Sequence, residues 1–137
     1  MNITVIGGGY VGLVTSACLA DLGHKVLIIE IDKKKVELIK KAIPPIFEEG
    51  LEEILKKNIG KTLFVESDYS SIGKTDVFFL CVGTPPNEDG SANLQFITDA
   101  AKKIGENIKN TRDYSVVVVK STVPPGTTEN IVIPTVL

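Results

Sequence analysis

Three glycines directly after the first apolar run constrain this chain more than any other feature. Gly7, Gly9 and Gly12 have the spacing G-x-G-x-x-G, which follows the β-branched run at 3–6 and precedes helical spacing at 11–22. In a strand–turn–helix unit the first glycine allows the tight turn, and the second lets a pyrophosphate approach the backbone. The third lets helix and strand pack closely. The pattern therefore predicts a dinucleotide site at a helix N-terminus.

Strand-like and helix-like stretches alternate along the whole chain. The predicted strands are 3–6, 25–31, 62–65, 76–82 and 115–119. The predicted helices are 11–22, a helix that begins at the N-cap Asp32 and ends before Pro44 and Pro45, 51–57 and 94–108. This alternation indicates parallel βαβ units and predicts an α/β fold, a Rossmann-type doubly wound parallel sheet in three α/β/α layers. Residues 1–137 are expected to form one domain.

The helical spacing also predicts which side chains face the core. The expected inner faces carry Val14, Ala17, Cys18 and Leu22 on the first helix, and Val36, Ile39 and Ile43 on the second. Cys18 and Cys81 are both expected to be buried and to act as small hydrophobic residues rather than nucleophiles. The apolar end at 131–137 lacks a polar tail, which predicts a sheet truncated at its C-terminal end and a fragment of a longer protein.

Glu30 ends the second predicted strand, at about the 20-residue offset expected for a ribose-binding acid. A carboxylate there accepts hydrogen bonds from both ribose hydroxyls and repels a 2′-phosphate, so it favours NAD over NADP. Lys33, Lys34 and Lys35 could neutralise a phosphate, but they are also typical of a solvated helix face. A purely structural turn with a surface glutamate is the alternative interpretation. Glu30 in this context favours an NAD site.

Composition excludes several other classes of protein. The chain has 43% hydrophobic and 23% charged residues, with 15 basic against 17 acidic side chains. A net charge of −2 gives no electrostatic basis for nucleic-acid binding. No apolar stretch is long enough for a membrane helix, and no signal peptide is visible. Two cysteines do not form a disulfide framework, so a cytoplasmic location is expected, and no metal-ligand spacing occurs.

Four motifs carry a resemblance to a known family. They are IGGGYVG at 6–12, PIFEEGLEE at 45–53, VGTPP at 82–86 with EDGSA at 88–92, and KSTVPPGT at 120–127. Together they resemble the N-terminal, NAD-binding domain of the UDP-glucose/GDP-mannose dehydrogenases over essentially the whole chain. The first motif is common to many dehydrogenases, whereas the last two are specific in this order and spacing. Glu30 stands where the family usually has Asp, and Glu49 where it often has Pro.

The resemblance implies the cofactor, the reaction and the site residues. The family oxidises the C6 alcohol of a sugar nucleotide to a carboxylate with two NAD molecules in succession, and these loops look most like its UDP-glucose branch. The implied cofactor-binding residues are Gly7, Gly9, Tyr10, Val11, Gly12, Glu30, Lys35, Thr84, Pro85, Ser121 and Thr122. Thr122 also has an implied auxiliary catalytic role, because the family's nucleophilic Cys is expected outside this chain. The complete enzyme is expected to be a homo-oligomer.

Other interpretations remain open from the residues alone. The loops that contain Thr84 and Thr122 follow predicted strand ends, where ligands of open α/β sheets bind. They could equally be Pro-rich turns that cap the next helices. The chain could also be a free-standing NAD-sensing module, or the cofactor domain of a dehydrogenase for GDP-mannose or UDP-N-acetylmannosamine. The apolar end and the turn at 121–126 favour a dehydrogenase over a sensor.

Overall fold

Five parallel strands form one sheet in a computed structural model that describes residues 1–137. The strands are β1 (Asn2–Ile6), β2 (Lys25–Ile29), β3 (Leu63–Glu66), β4 (Val77–Leu80) and β5 (Val116–Val119). Their order in the sheet is β3-β2-β1-β4-β5, and every neighbouring pair is parallel. The order changes direction at β1, so a crevice opens between the loops that follow β1 and β4.

Helices cover both faces of the sheet. They are α1 (Tyr10–Asp21), α2 (Lys33–Lys40), α3 (Leu51–Asn58), α4 (Gln95–Thr111) and α5 (Ile133–Val136), with a 3₁₀ turn at Tyr69–Ser71 and a π-helical turn at Thr128–Val132. One core cluster of 15 buried residues joins the sheet to α1, α2 and α3, and a second of 10 joins the other face to α4. The predicted three-layer α/β fold is confirmed. None of these helices combines the length and apolar character that crossing a membrane requires.

Of the predicted inner face of α1, Ala17 is buried and Val14 is partly buried, but Cys18 and Leu22 are wrong. The buried residues of α1 are Gly12, Leu13, Ser16, Ala17 and Ala20, whereas Leu22 is 77% exposed. Cys18 is exposed rather than buried, although Cys81 is buried as predicted. The helix lies so close to the sheet at Gly12 that small residues form its contact stripe. The prediction assigned larger apolar side chains to the inner face of α1, and this is why its orientation on the sheet was predicted incorrectly.

The second helix begins as predicted and ends earlier. Asp32 is the N-cap, and its side chain accepts hydrogen bonds from the N–H groups of Lys34 and Lys35. The helix stops at Lys40, and Ala42 adopts a left-handed conformation with φ of 58°. This reversal turns the next side chain outward, so Ile43 is 47% exposed instead of facing the core. Val36 and Ile39 are buried as predicted.

Candidate functional site

A cleft of about 420 Å³ lies at the carboxyl ends of the central strands, where the strand order changes direction. Its inner end is lined by Gly7, Gly9 and Cys81, and Glu30 and Lys35 line its β2 side. Ligands of open α/β sheets bind at this position because two neighbouring loops separate there. A volume of this size suits part of a small-molecule cofactor.

Two of the three motif glycines are required by the chain itself. Gly7 has φ of 105°, and a Cβ there would lie 2.5 Å from the carbonyl oxygen of Cys81. A Cβ on Gly12 would overlap the carbonyl oxygen of Gly7. These contacts bring α1 against β1 and β4 at a distance that only glycine permits. Gly9 is different, because a Cβ there would meet no atom within 4 Å. The chain leaves open space at Gly9, which fits a ligand that approaches its backbone.

The N-terminus of α1 is suited to an anion. Gly9 is the N-cap and offers no side-chain acceptor, and the first turn contains no acidic residue. The first N–H to find a helical acceptor is that of Leu13, which donates to the carbonyl of Gly9. The N–H groups of Tyr10, Val11 and Gly12 therefore have no partner within the helix. With the positive end of the helix dipole, they can hold a pyrophosphate.

Glu30 is held in place by the backbone on either side of it. Its carboxylate accepts one hydrogen bond from the N–H of Gly8 at 3.2 Å and one from the N–H of Asp32 at 2.9 Å. The residue is only 8% exposed. Two carboxylate oxygens offer about four acceptor positions, so capacity remains for ribose hydroxyls. The acid is thus fixed at the end of β2 before any ligand arrives.

Only one of the three consecutive lysines lines the cleft. Lys35 is half-buried and contributes to the cleft wall, whereas Lys33 and Lys34 are exposed on the outer part of α2. Its backbone N–H is one of the two capped by Asp32, which fixes the first turn of the helix. Lys33 and Lys34 therefore form the solvated helix face that was the alternative interpretation, whereas Lys35 does not.

The loops after β4 and β5 are tied to each other. The Thr84 hydroxyl donates to the carbonyl oxygen of Thr122 at 2.7 Å, and the Ser121 hydroxyl donates to the carbonyl of Val82 at 2.8 Å. The carbonyl of Pro85 accepts from the N–H of Asn93, which closes the first loop on itself. Both loops stand at the carboxyl ends of their strands, as predicted. Thr84, Pro85, Ser121 and Thr122 are not among the residues that line the cleft, and their cofactor contacts remain predictions.

Tyr10 makes a contact that the motif does not predict. Its hydroxyl donates to the Glu48 carboxylate at 2.6 Å, and this hydrogen bond, followed by the negative charge of Glu48, raises the pKa of Tyr10. The contact joins the start of α1 to the loop before α3, where Phe47 is 93% exposed. The Tyr10 side chain is directed toward that loop and not into the cleft. Its predicted role at the cofactor therefore rests on its backbone N–H.

The outer end of the cleft contains residues that sequence reasoning missed. Tyr69 comes from the 3₁₀ turn after β3, and Phe96 and Asp99 come from the first turns of α4. Burial is the main cause that raises the pKa of Tyr69, and the negative charges of Asp99 and Glu30 add to it. The i, i+3 spacing of Phe96 and Asp99 is a usable signal for a shared helix face.

The two cysteines differ in reactivity and position. Cys81 lines the cleft, but burial raises the pKa of its thiol to about 11, so the thiol is protonated at neutral pH. Cys18 is exposed on α1 and does not line the cleft. His24 lies at the opposite end of the sheet, where its Nδ1 is 3.2 Å from the N-terminal amine. No group of three His, Cys, Asp or Glu side chains could hold a metal ion.

The chain is similar over nearly its whole length to known proteins. A profile described as the UDP-glucose/GDP-mannose dehydrogenase family, NAD binding domain, matches residues 1–137. The UDP-glucose 6-dehydrogenase YwqF of Bacillus subtilis is 52% identical over 94% of this chain, which covers 29% of that protein. The crystal structure of a ternary complex of GDP-mannose dehydrogenase from Pseudomonas aeruginosa superposes with a TM-score of 0.94 and 38% identity, over 99% of this chain and 32% of that one. A UDP-glucose dehydrogenase structure from Pyrobaculum islandicum gives 0.92 and 40%, over 98% and 32%.

Proposed function

Because this chain belongs to the UDP-glucose/GDP-mannose dehydrogenase family as an NAD-binding domain, we propose that it is the cofactor domain of an enzyme that oxidises UDP-glucose. The chain spans 29% of the length of the Bacillus subtilis relative. Residues 1–137 would then supply one wall of the active site, and the remaining length would supply the sugar-nucleotide site and the nucleophilic Cys.

The arrangement of Glu30 and the α1 N-terminus carries the proposal. NAD, when bound, supplies the hydride acceptor for oxidation of an alcohol. The N–H groups at the start of α1 would hold its pyrophosphate, and the open space at Gly9 would admit it. Glu30 would accept hydrogen bonds from the ribose, with Lys35 beside it on the β2 side of the cleft. The proposal requires no rearrangement of the chain at these groups.

Thr84 and Thr122 would act at the other end of the cofactor. The Thr84 hydroxyl is already committed to the carbonyl of Thr122, and prolines follow both residues closely in the chain. The Thr122 hydroxyl makes no hydrogen bond within the chain, so it is free to orient a ligand hydroxyl or a water molecule. Ser121 holds the second loop through its bond to Val82. The two loops would thus meet the reactive half of the cofactor as one preformed unit.

Cofactor choice tests the role of Glu30. We expect the chain to bind NAD more tightly than NADP, and Glu30→Ala to narrow that difference by about tenfold or more, because a charged hydrogen bond contributes about 1.5–3 kcal/mol. Calorimetric titration of both cofactors measures the difference. Glu30→Gln is the matched variant, since it keeps an acceptor for the N–H of Gly8 while it removes the charge. Equal affinities of the unaltered chain for NAD and NADP would contradict the proposed role.

Substrate choice requires the complete protein. We expect NADH formation with UDP-glucose to exceed that with GDP-mannose by at least about tenfold in kcat/KM, because recognition of the wrong base leaves polar groups unpaired. The 52% identity to a UDP-glucose 6-dehydrogenase favours this order. GDP-mannose is the second candidate, supported by the close superposition on a GDP-mannose dehydrogenase. A preference for GDP-mannose in the same assay would establish that alternative instead.

A further inference from the structure

We propose that the loop at 44–50, together with the side chain of Tyr10, is a docking surface for the part of the complete protein that lies outside residues 1–137. The inference rests on the proposed function, because it takes this chain to be one domain of a longer enzyme. It concerns the α1 and α3 side of the sheet and none of the cofactor contacts. We call this region the Phe47 surface, and it comprises Tyr10, Phe47, Glu48 and Glu49.

Phe47 is the most exposed large apolar residue of the chain, and the residues on both sides of it are anchored. Ile46 packs against the core cluster that joins the sheet to α1, α2 and α3. Leu51, the first residue of α3, is buried, and its N–H donates to the carbonyl of Glu48. Aromatic side chains are enriched at the cores of protein interfaces, and here one is held outward by anchored neighbours.

The hydrogen bond from Tyr10 to Glu48 fixes this surface beside the mouth of the cofactor cleft. Tyr10 follows Gly9, which lines the cleft, and its side chain is about half exposed. Its hydroxyl donates to the Glu48 carboxylate at 2.6 Å, and Phe47 is the next residue in the loop. A protein segment that covers a dinucleotide bound at Gly9 therefore comes close to Tyr10 and to the loop.

The remaining length of the same protein is the occupant that these observations favour. The chain spans 29% of the length of the Bacillus subtilis relative, so most of a protein of that length is available to cover the Phe47 surface. Residues 1–137 supply one wall of the cleft, whereas a ligand site encloses most of its ligand. The second wall has to come from the remaining length, and the Phe47 surface lies beside the opening that this wall must close.

The charges around Phe47 argue against a second copy of this chain as the occupant. Four glutamates and one lysine line the groove beside the ring, namely Glu48, Glu49, Glu52, Glu53 and Lys56. The lysine is already paired with Glu52 at 2.7 Å. In a two-fold contact the same patch lies on both subunits, so the glutamates would face each other and repel. We expect the covering surface to carry Arg or Lys instead.

The test measures how fast a maleimide labels a cysteine placed on this surface. Glu49→Cys is the reporter, because Glu49 is exposed, forms no ion pair within the chain, and can be replaced while Phe47 is kept. We expect labelling at position 49 to be about tenfold or more slower in the complete protein than in the 137-residue chain, because thiol reactivity follows exposure. Mass spectrometry of the labelled peptides separates this position from the native cysteines.

Phe47→Ala tests the contribution of the ring. In a complete protein that also carries Glu49→Cys, this substitution should speed labelling at position 49 several-fold, because a central aromatic contact of the covering surface is lost. In the 137-residue chain it should change neither the labelling rate nor the affinity for NAD, since the ring lies in water. Circular dichroism confirms that each variant is folded.

Tyr114→Cys provides the matched control. Tyr114 is 89% exposed and precedes β5, at the end of the sheet opposite the cleft, so its labelling rate should be equal in the chain and in the complete protein. Equal rates for Glu49→Cys in the two proteins would overturn the docking surface. Protection of position 49 that grows with the concentration of the 137-residue chain would assign the surface to a second copy, and this result would overturn the proposal as well.

The labelling result is independent of catalysis, so the two proposals can fail separately. A complete protein that protects position 49 but forms no NADH from UDP-glucose would overturn the proposed substrate and support the docking surface. A complete protein that oxidises UDP-glucose while position 49 is labelled at the rate of the 137-residue chain would support the proposed function and overturn the docking surface.

Discussion

Gly9→Val is expected to lower the affinity for NAD by about a hundredfold or more, a loss of about 3 kcal/mol, in a chain that still folds. The backbone at Gly9 has φ of −74° and ψ of −166°, an extended conformation that any residue adopts. No atom of the chain lies within 4 Å of the added Cβ. The branched side chain would instead fill the space that the pyrophosphate must enter. Circular dichroism reports the fold, and calorimetry reports the affinity.

Two other glycines complete this experiment. Gly73→Val introduces the same side chain at a second position with open space, near the amino ends of β1 and β2. This substitution should leave the NAD affinity unchanged. Gly12→Ala should instead lower the free energy of unfolding by several kcal/mol, because its Cβ overlaps the Gly7 carbonyl. A folded Gly9→Val chain with unaltered NAD affinity would show that the glycines serve only as a turn.

The order and type of the main elements were predictable because the hydrophobic periodicity agrees with the residues that cap or end each element. The β-branched run of β1 is followed by glycines, and Asp32 stands where α2 needs a cap. The phase of α1 was not predictable in the same way. Besides Leu13 and Ala17, its buried residues include Gly12, Ser16 and Ala20, whose small side chains carry little hydrophobic signal. Close approach of two backbones selects for small side chains, and hydrophobic periodicity then weakens as a guide.

Some residues of the candidate site were predictable from the sequence and others were not. Glu30 was accessible from sequence because a single βαβ unit sets its distance from the glycines. Tyr69 and Asp99 lie in the same cleft but come from elements on either side of β4, far along the chain. Their meeting depends on how the crossover after β3 and the start of α4 pack on the sheet. The spacing of residues along the sequence does not predict that packing. The bond between Tyr10 and Glu48 is a tertiary contact of the same kind.

The chemistry proposed for the complete enzyme needs groups that the cleft of this chain does not offer. Oxidising a primary alcohol to a carboxylate removes two hydrides in succession, so the aldehyde formed first must be held between the two steps. A thiolate nucleophile can hold it, and a general base must take the hydroxyl proton. With a pKa of about 11, the Cys81 thiol is ionised in only about one molecule in 10⁴ at pH 7. The only carboxylates that line the cleft are Glu30 and Asp99, and the proposal assigns Glu30 to the ribose rather than to the reacting alcohol.

The 137-residue chain is therefore expected to bind NAD and to produce no NADH from UDP-glucose. Thr122 can orient a hydroxyl, but a neutral hydroxyl cannot replace a thiolate as the nucleophile. Cys18 is exposed yet does not line the cleft, so its accessibility does not bring it to a bound sugar. The measurement follows NADH absorbance with NAD and UDP-glucose while calorimetry records NAD binding in parallel. Cys81→Ser and Cys18→Ser identify the source of any signal. Sustained NADH formation that either substitution abolishes would show that the nucleophile lies within these residues, because a bound cofactor alone cannot complete the oxidation.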